Sequence, residues 1–348
     1  MPGSTEFMKR LDLSNPVIQA PMAGAGTPAL AIAASRAGSL GSLGVALMSP
    51  DAIGEAIGEI RNATKGPFNI NLLLVPPPNS DKARIDRMRE RLRPHCERIG
   101  IDPATIPPLS PPPFGFDEQL EIVMQENVPV VSFAFGIPDT ASIKRLKSRG
   151  TFVIGTATSV IEARMLTDAG VDAVVAQGLE AGGHRATFAH DFEDGMVSLP
   201  SLVGEIERAI ELPVIASGGI SDATQIARIM ERGAQAVQIG TLFLACDENA
   251  IPGAYRSGVL KGGETVVTRA YTGRPARALR TAFTDELGDD AEIPDFPIQA
   301  LLTAPLRDAA ARLGSEFAQY LPMLAGTGVG RGMTGPAAKV IDQLAERF

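Results

Sequence analysis

One short stretch of this chain gathers most of its reactive side chains. Gln177-Gly178-Leu179-Glu180-Ala181-Gly182-Gly183-His184-Arg185 sets an amide, a carboxylate, an imidazole and a guanidinium among three glycines. An imidazole can accept or donate a proton near neutrality, and the glycine pair before His184 frees the backbone to aim it. The plainer reading is a histidine packed for structure. The glycine-rich setting favours catalysis, with His184 as the proton-transfer group. The other two histidines are weaker candidates: His95 stands in a run of charged residues and His190 in a polar stretch.

Two further segments suit an anion. Ser217-Gly218-Gly219-Ile220-Ser221-Asp222 and Gln238-Ile239-Gly240-Thr241 each follow a short apolar run. Glycine lets backbone amides approach a phosphate closely, and a helix beginning near Ser221 adds a favourable partial charge. With no Lys or Arg nearby, the amides must carry the binding, each charge-assisted hydrogen bond contributing roughly 1.5–3 kcal/mol. Taken singly, either segment also reads as a tight turn with a serine cap; their joint occurrence after the last two strands favours a phosphate. Earlier in the chain, Pro21 turns the backbone away and presents Ala20 and Met22. Asn69 and Asn71 alternate onto one face of a strand, with Asn71 nearer its C-terminal end. Gly24-Ala25-Gly26-Thr27-Pro28-Ala29 matches G-x-G-x-x-A, but the next strand ends in Gly44 with no acid for a ribose, so the match is set aside.

The elements that must hold these groups alternate from end to end. Eight apolar runs read as strands: Val17–Ala20, Leu40–Leu43, Phe68–Leu74, Val130–Phe133, Phe152–Thr156, Ala173–Ala176, Val214–Ala216 and Ala236–Ile239. Most are apolar on both faces, as parallel strands buried between layers are. Helical patterns separate them, among them Ala29–Ala37, Ala52–Asn62, Thr140–Ser148, Val160–Ala169 and Ala223–Arg232. An open doubly wound sheet shares this alternation. The gathering of polar residues after the strand ends, with anion loops after strands 7 and 8, points instead to α/β of the (β/α)₈ TIM-barrel class.

Two stretches break the rhythm. Residues 76–113 are proline-rich with a charged amphipathic helix at Asp81–Glu97, and read as an insertion in a barrel spanning 8–250. Residues 251–335 read as a small helical and loop lobe over the barrel mouth, and 336–348 as a C-terminal helix returning to the barrel. Met1–Phe7 (MPGSTEF) reads as an expression scar, with Met8 the expected native start.

The 348 residues carry 32 basic and 40 acidic side chains, a net −8, and no basic run, which disfavours nucleic acid. No apolar stretch of about 18 residues occurs, so no membrane helix is expected. Cys96 and Cys246 form no CxxC and suggest neither disulfide nor metal, which suits a reduced cytoplasm.

With these residues assembled, the chain resembles the nitronate monooxygenase family, formerly the 2-nitropropane dioxygenases. The resemblance rests on Gln19–Met22 (QAPM), Phe68–Leu72 (FNINL), Ser132–Gly136 (SFAFG), Ala176–His184 (AQGLEAGGH), Ala216–Ile220 (ASGGI), Gln238–Thr241 (QIGT) and Gly273–Arg277 (GRPAR). It implies a barrel with non-covalent FMN and His184 as the catalytic histidine. The implied FMN positions are Asn71, Gln177, Gly182, Gly218, Gly219, Gln238, Ile239, Gly240 and Thr241, with Ala20 and Met22 against the ring and Thr156 a further polar contact. The implied activity oxidises alkyl nitronates, or nitroalkanes, with O2 to carbonyl compounds and nitrite. An NAD(P)H-dependent FMN reductase (quinone or enoyl-thioester) on the same barrel is the alternative. A flavin-binding protein without catalysis is a third reading, disfavoured by His184. The family pattern Trp-Ala-Gly-Gln-Gly is replaced by Leu324-Ala325-Gly326-Thr327-Gly328, which opens the substrate-pocket wall to question. Monomer or homodimer is left open.

Overall fold

The computed structural model describes residues 4–79, 81–103, 114–288 and 291–348, so residues 104–113 of the proline-rich insertion lie outside it. Eight parallel strands form the central sheet: β1 (Val17–Gln19), β2 (Gly41–Gly44), β3 (Phe68–Leu73), β4 (Val130–Ala134), β5 (Phe152–Ala157), β6 (Ala173–Gln177), β7 (Val214–Ser217) and β8 (Ala236–Ile239). Each run expected to be a strand is one, to within a residue or so at its ends.

Neighbours run β1-β8-β7-β6-β5-β4-β3-β2. The two ends of that order meet at a parallel bridge between Ile18 and Leu40. Side-chain chemistry extends this short seam: Gln19 Oε1 accepts from the Ser42 amide at 2.8 Å, and the Gln19 amide donates to the Leu40 carbonyl at 3.0 Å. The open-sheet alternative is thereby excluded.

Alternation along the strands divides the core. Val17, Val131, Val153, Val174, Ala216 and Val237 face the helical layer, whereas Ile18, Val130, Phe152, Ile154, Val175 and Ile215 belong to a separate inner cluster. Phe7, Met8, Leu11 and Leu13 complete that inner cluster from the N-terminal side. Helix Glu6–Leu11 begins at Thr5, whose side chain accepts from the Met8 amide. Phe7, set aside with the residues before it in the sequence analysis, therefore packs into the barrel floor.

A second apolar cluster joins residues of 244–325 to Met88, Leu92, Cys96 and Ile99 of helix Lys82–Ile99. The inserted helix packs on helix Ile298–Leu313, so the two rhythm-breaking stretches share one core. That region also carries strands Thr265–Thr268 and Ala276–Leu279, which pair antiparallel with each other. Gly183–His184 supplies the third strand of this sheet. Four-residue strands whose partner is this remote give little local signal. Helix Ala337–Ala345 turns back, burying Ala337, Val340, Ile341 and Leu344 against helix Pro28–Arg36 and helix Ala223–Met230. Among the described residues no helix is long and apolar enough to cross a membrane.

Candidate active site

The loop after β6 is pinned at several points. Gln177, last residue of the strand, uses both ends of its amide on the loop itself. Nε2 donates to the His184 carbonyl at 3.0 Å and Oε1 accepts from the Ala186 amide at 2.9 Å. Arg185 is fully buried and donates to the carbonyls of Gly178 (2.7 Å), Gln177 (3.0 Å) and Gly195 (2.9 Å). Burial pushes its guanidinium down to about 10, so it stays charged at neutrality. Glu162 is likewise fully buried and accepts from the amides of Thr158, Phe188 and Ala189. Gly183, at φ +80°, makes the turn that presents His184, a conformation side chains disfavour.

His184 sits in an aromatic frame. Phe135 and Phe296 approach its ring edge-on, with centroids at 5.8 and 5.6 Å. Its Nε2 lies 2.9 Å from Thr272 Oγ1. Phe135 holds a left-handed φ of +73° just past β4, a strained conformation for a phenylalanine. The Arg274 guanidinium stacks on the Phe135 ring at 3.8 Å. Burial first, and the Arg274 charge second, push the His184 imidazole down to about 4. A lowered pKa keeps the imidazole in its neutral form near neutral pH, which suits the base role. Thr272, Arg274, Phe135 and Phe296 were not singled out from sequence, although Arg274 lies within the GRPAR segment and Phe135 within SFAFG.

The glycine loops lie against the same loop. A Cβ on Gly218 would stand 2.9 Å from the Ala181 amide nitrogen, and one on Gly182 would stand 2.5 Å from the Ala325 carbonyl carbon. Gly326 donates to Thr241 Oγ1 at 2.9 Å, and Thr327 donates to the Glu180 carbonyl at 3.0 Å. The Leu324–Gly328 segment is thus wedged between the His184 loop and the start of the 3-10 helix Thr241–Ala245. Ala20 and Met22 face Gly240 from across the β1 seam, with Ala20 Cβ 3.5 Å and Met22 Sδ 3.6 Å from where a Cβ would be. Among the described residues, the amides of Gly218, Gly219, Gly240 and Thr241 donate to no protein acceptor. Several neighbouring orphan donors are what a phosphate requires. Ile239 is buried in the core, so its backbone alone faces this region. The Gln238 and Thr156 side chains have no hydrogen-bond partner among the described residues.

Asn71 stands apart from these contacts. Its Nδ2 donates to Ser132 Oγ at 2.9 Å, and Asn69 Nδ2 donates to the same oxygen at 2.9 Å. His95 packs between Phe283 and Tyr320, and His190 bonds Ser159 Oγ, both away from the His184 frame.

Comparison with known proteins adds three findings. The family model described as nitronate monooxygenase matches residues 5–346. A nitronate monooxygenase of Paraburkholderia phytofirmans is 39% identical over 98% of this chain and 94% of its own length. A solved nitroalkane oxidase from Streptomyces ansochromogenes superposes with a TM-score of 0.87 at 36% identity, covering 98% of this chain and 97% of that one. FabK from Thermotoga maritima follows at 0.76 and 32%, covering 99% and 96%.

Proposed function

The chain belongs to the nitronate monooxygenase family, and from that premise we propose that it oxidises alkyl nitronates with O2 to carbonyl compounds and nitrite, using FMN. The carrying observation is the meeting, at one barrel mouth, of His184 in its aromatic frame with a set of glycine amides lacking protein acceptors.

These residues fit a flavin mononucleotide. The amides of Gly218, Gly219, Gly240 and Thr241 would hold its phosphate, with Gln238 alongside. Ala20 and Met22 would lie against the ring, Asn71 and Thr156 would offer polar contacts, and Gly182, whose missing side chain makes room for the Ala325-Gly326 backbone, would contribute through its own backbone. Gln177 acts mainly by bracing the His184 loop. When bound, FMN supplies the redox chemistry, accepting electrons from the substrate and passing them to O2.

The chain's own contribution is to position the substrate and move its proton. Phe135 and Phe296 exclude water from one side of the imidazole, and Thr272 holds its Nε2. For a neutral nitroalkane, His184 accepts the α-proton; a preformed nitronate needs no such step. A reducing compartment suits Cys96 and Cys246, both buried and unpaired.

The test is direct. The purified protein should release FMN on acid treatment, and with alkyl nitronate and O2 it should form nitrite without consuming NADH or NADPH. Flavin bleached anaerobically by NAD(P)H but not by nitronate would establish the reductase instead.

A further inference from the structure

A nitronate brings a negative charge to the His184 frame, and Arg274 is the cation placed beside it. The loop that presents His184 also holds Arg274. Nε donates to the Arg185 carbonyl at 2.9 Å and Nη2 to the Thr187 carbonyl at 2.6 Å. The plane of the guanidinium is fixed by its stacking on Phe135, the ring that meets His184 edge-on. Among the described residues, Nη1 has no acceptor and no carboxylate lies within ion-pair distance of Arg274. Glu162, the acid that acts on it electrostatically, is engaged by the amides of Thr158, Phe188 and Ala189. The other cations of the region are more fully engaged. Arg185 gives both terminal nitrogens to three carbonyls, leaving only its Nε, sealed from solvent, without an acceptor, and Arg277 donates to Leu179 and Thr265.

Resting on the nitronate reading above, we propose that Arg274 binds the anionic nitro group of the substrate through Nη1, so that charge recognition and proton removal are divided between Arg274 and His184. With a neutral nitroalkane, the α-proton passes to the imidazole. The C–H electron pair moves onto the nitro group, whose two oxygens then carry the negative charge that Arg274 balances. With a preformed nitronate only the second interaction operates. The same charge adds to burial, the larger cause, in keeping the imidazole neutral, since a fixed cation disfavours a second one beside it. Around His184, Arg274 is the charged group acting on the ring; Phe135, Phe296 and Thr272 make its other contacts.

The two roles separate in Arg274→Met and Arg274→Gln, compared with Arg274→Lys. Removing the charge should raise the KM for a short alkyl nitronate by about 10- to 100-fold, the range of one charge-assisted hydrogen bond, and weaken competitive inhibition by nitrate to a similar degree. Arg274→Lys should recover a good part of both. NMR titration of His184 should show its pKa rising in the neutral variants, partway toward the ordinary value because burial persists. That readout needs no turnover, so it distinguishes failure of this proposal from failure of the nitronate reading. An unmoved His184 titration, or equal losses on nitronate and nitroalkane with no change in nitrate inhibition, would overturn it and leave Arg274 as a brace for the loop. If Arg274→Met does not fold, the Gln and Lys variants carry the same comparison.

Discussion

At the floor of the barrel, Phe7, Met8, Leu11 and Leu13 close on Ile18, Leu40, Phe152 and Ile215, every one of them buried and apolar. At the mouth, the same strands end in glycines, orphan amides, a strained phenylalanine and a buried arginine held only by carbonyls. The floor is packed from apolar side chains. The mouth accumulates backbone donors without protein acceptors and relies on long-range contacts to hold its loops. Chemistry in this architecture gathers at the strand C-termini, while the opposite face can be used for stability alone. The two ends should therefore fail differently when damaged.

The largest energetic effect is expected at the floor. Phe7 is fully buried, meets Phe152 edge-on at 5.8 Å, and its amide donates to Gln235 Oε1 at 3.1 Å. Phe7→Ala should cost about 3–5 kcal/mol of stability, read from the midpoint of urea unfolding. Activity per folded molecule should be unchanged. An unaltered midpoint would mean that residues 5–7 are passengers, as an appended leader would be.

Next comes His184→Asn at the mouth, which keeps hydrogen bonding but cannot titrate near neutrality. Nitroalkane oxidation should fall by about 10²-fold or more, and nitronate oxidation by less. Because the imidazole's pKa is pushed down to about 4, the base is already in its working form throughout the neutral range. Wild-type kcat/KM on nitroalkane should accordingly hold level as pH falls and drop only near pH 4. A decline centred near 6.5 would show that burial and Arg274 do not act on His184 as described.

The same contrast explains what could be read from the chain. All eight strands were legible, because each is a short apolar run and the signal is local. The closure was not, since an open sheet shares the alternation and the seam rests on Ile18, Leu40 and the side chain of Gln19. His184 stood out by the glycines around it. Thr272, Arg274 and Phe296 come from the second core, and tertiary pairing of Ala276 with His184 brings their region to the mouth. No local pattern encodes that meeting. The resemblance left the part of the Leu324–Gly328 segment in the substrate-pocket wall open, and its contacts with Glu180, Gly182 and Thr241 are tertiary ones that no local pattern announces.

The smallest expected effect is the most diagnostic for the anion loops, because Gly219 and Gly240 are not equivalent. Gly219 has φ +68°, and a Cβ there would stand 2.9 Å from Glu180 Cβ and 3.0 Å from Thr327 Oγ1. Gly219→Val would strain the backbone and press on the His184 loop, so lost flavin in that variant could follow from misfolding alone. Gly240 has φ −112°, open to any residue, and its nearest neighbours would be Ala20 Cβ at 3.5 Å and Met22 Sδ at 3.6 Å, ordinary contact distances. The protein's own packing therefore leaves room for a Cβ at 240, whereas a phosphate drawn close to its amide would not. Gly240→Ala should unfold at nearly the wild-type midpoint, yet bind FMN about 10- to 100-fold more weakly in a fluorescence titration of the apoprotein, equivalent to one charge-assisted hydrogen bond. Wild-type affinity in that variant would remove the Gly240 amide from the phosphate site and leave Gly218 and Gly219 to carry it.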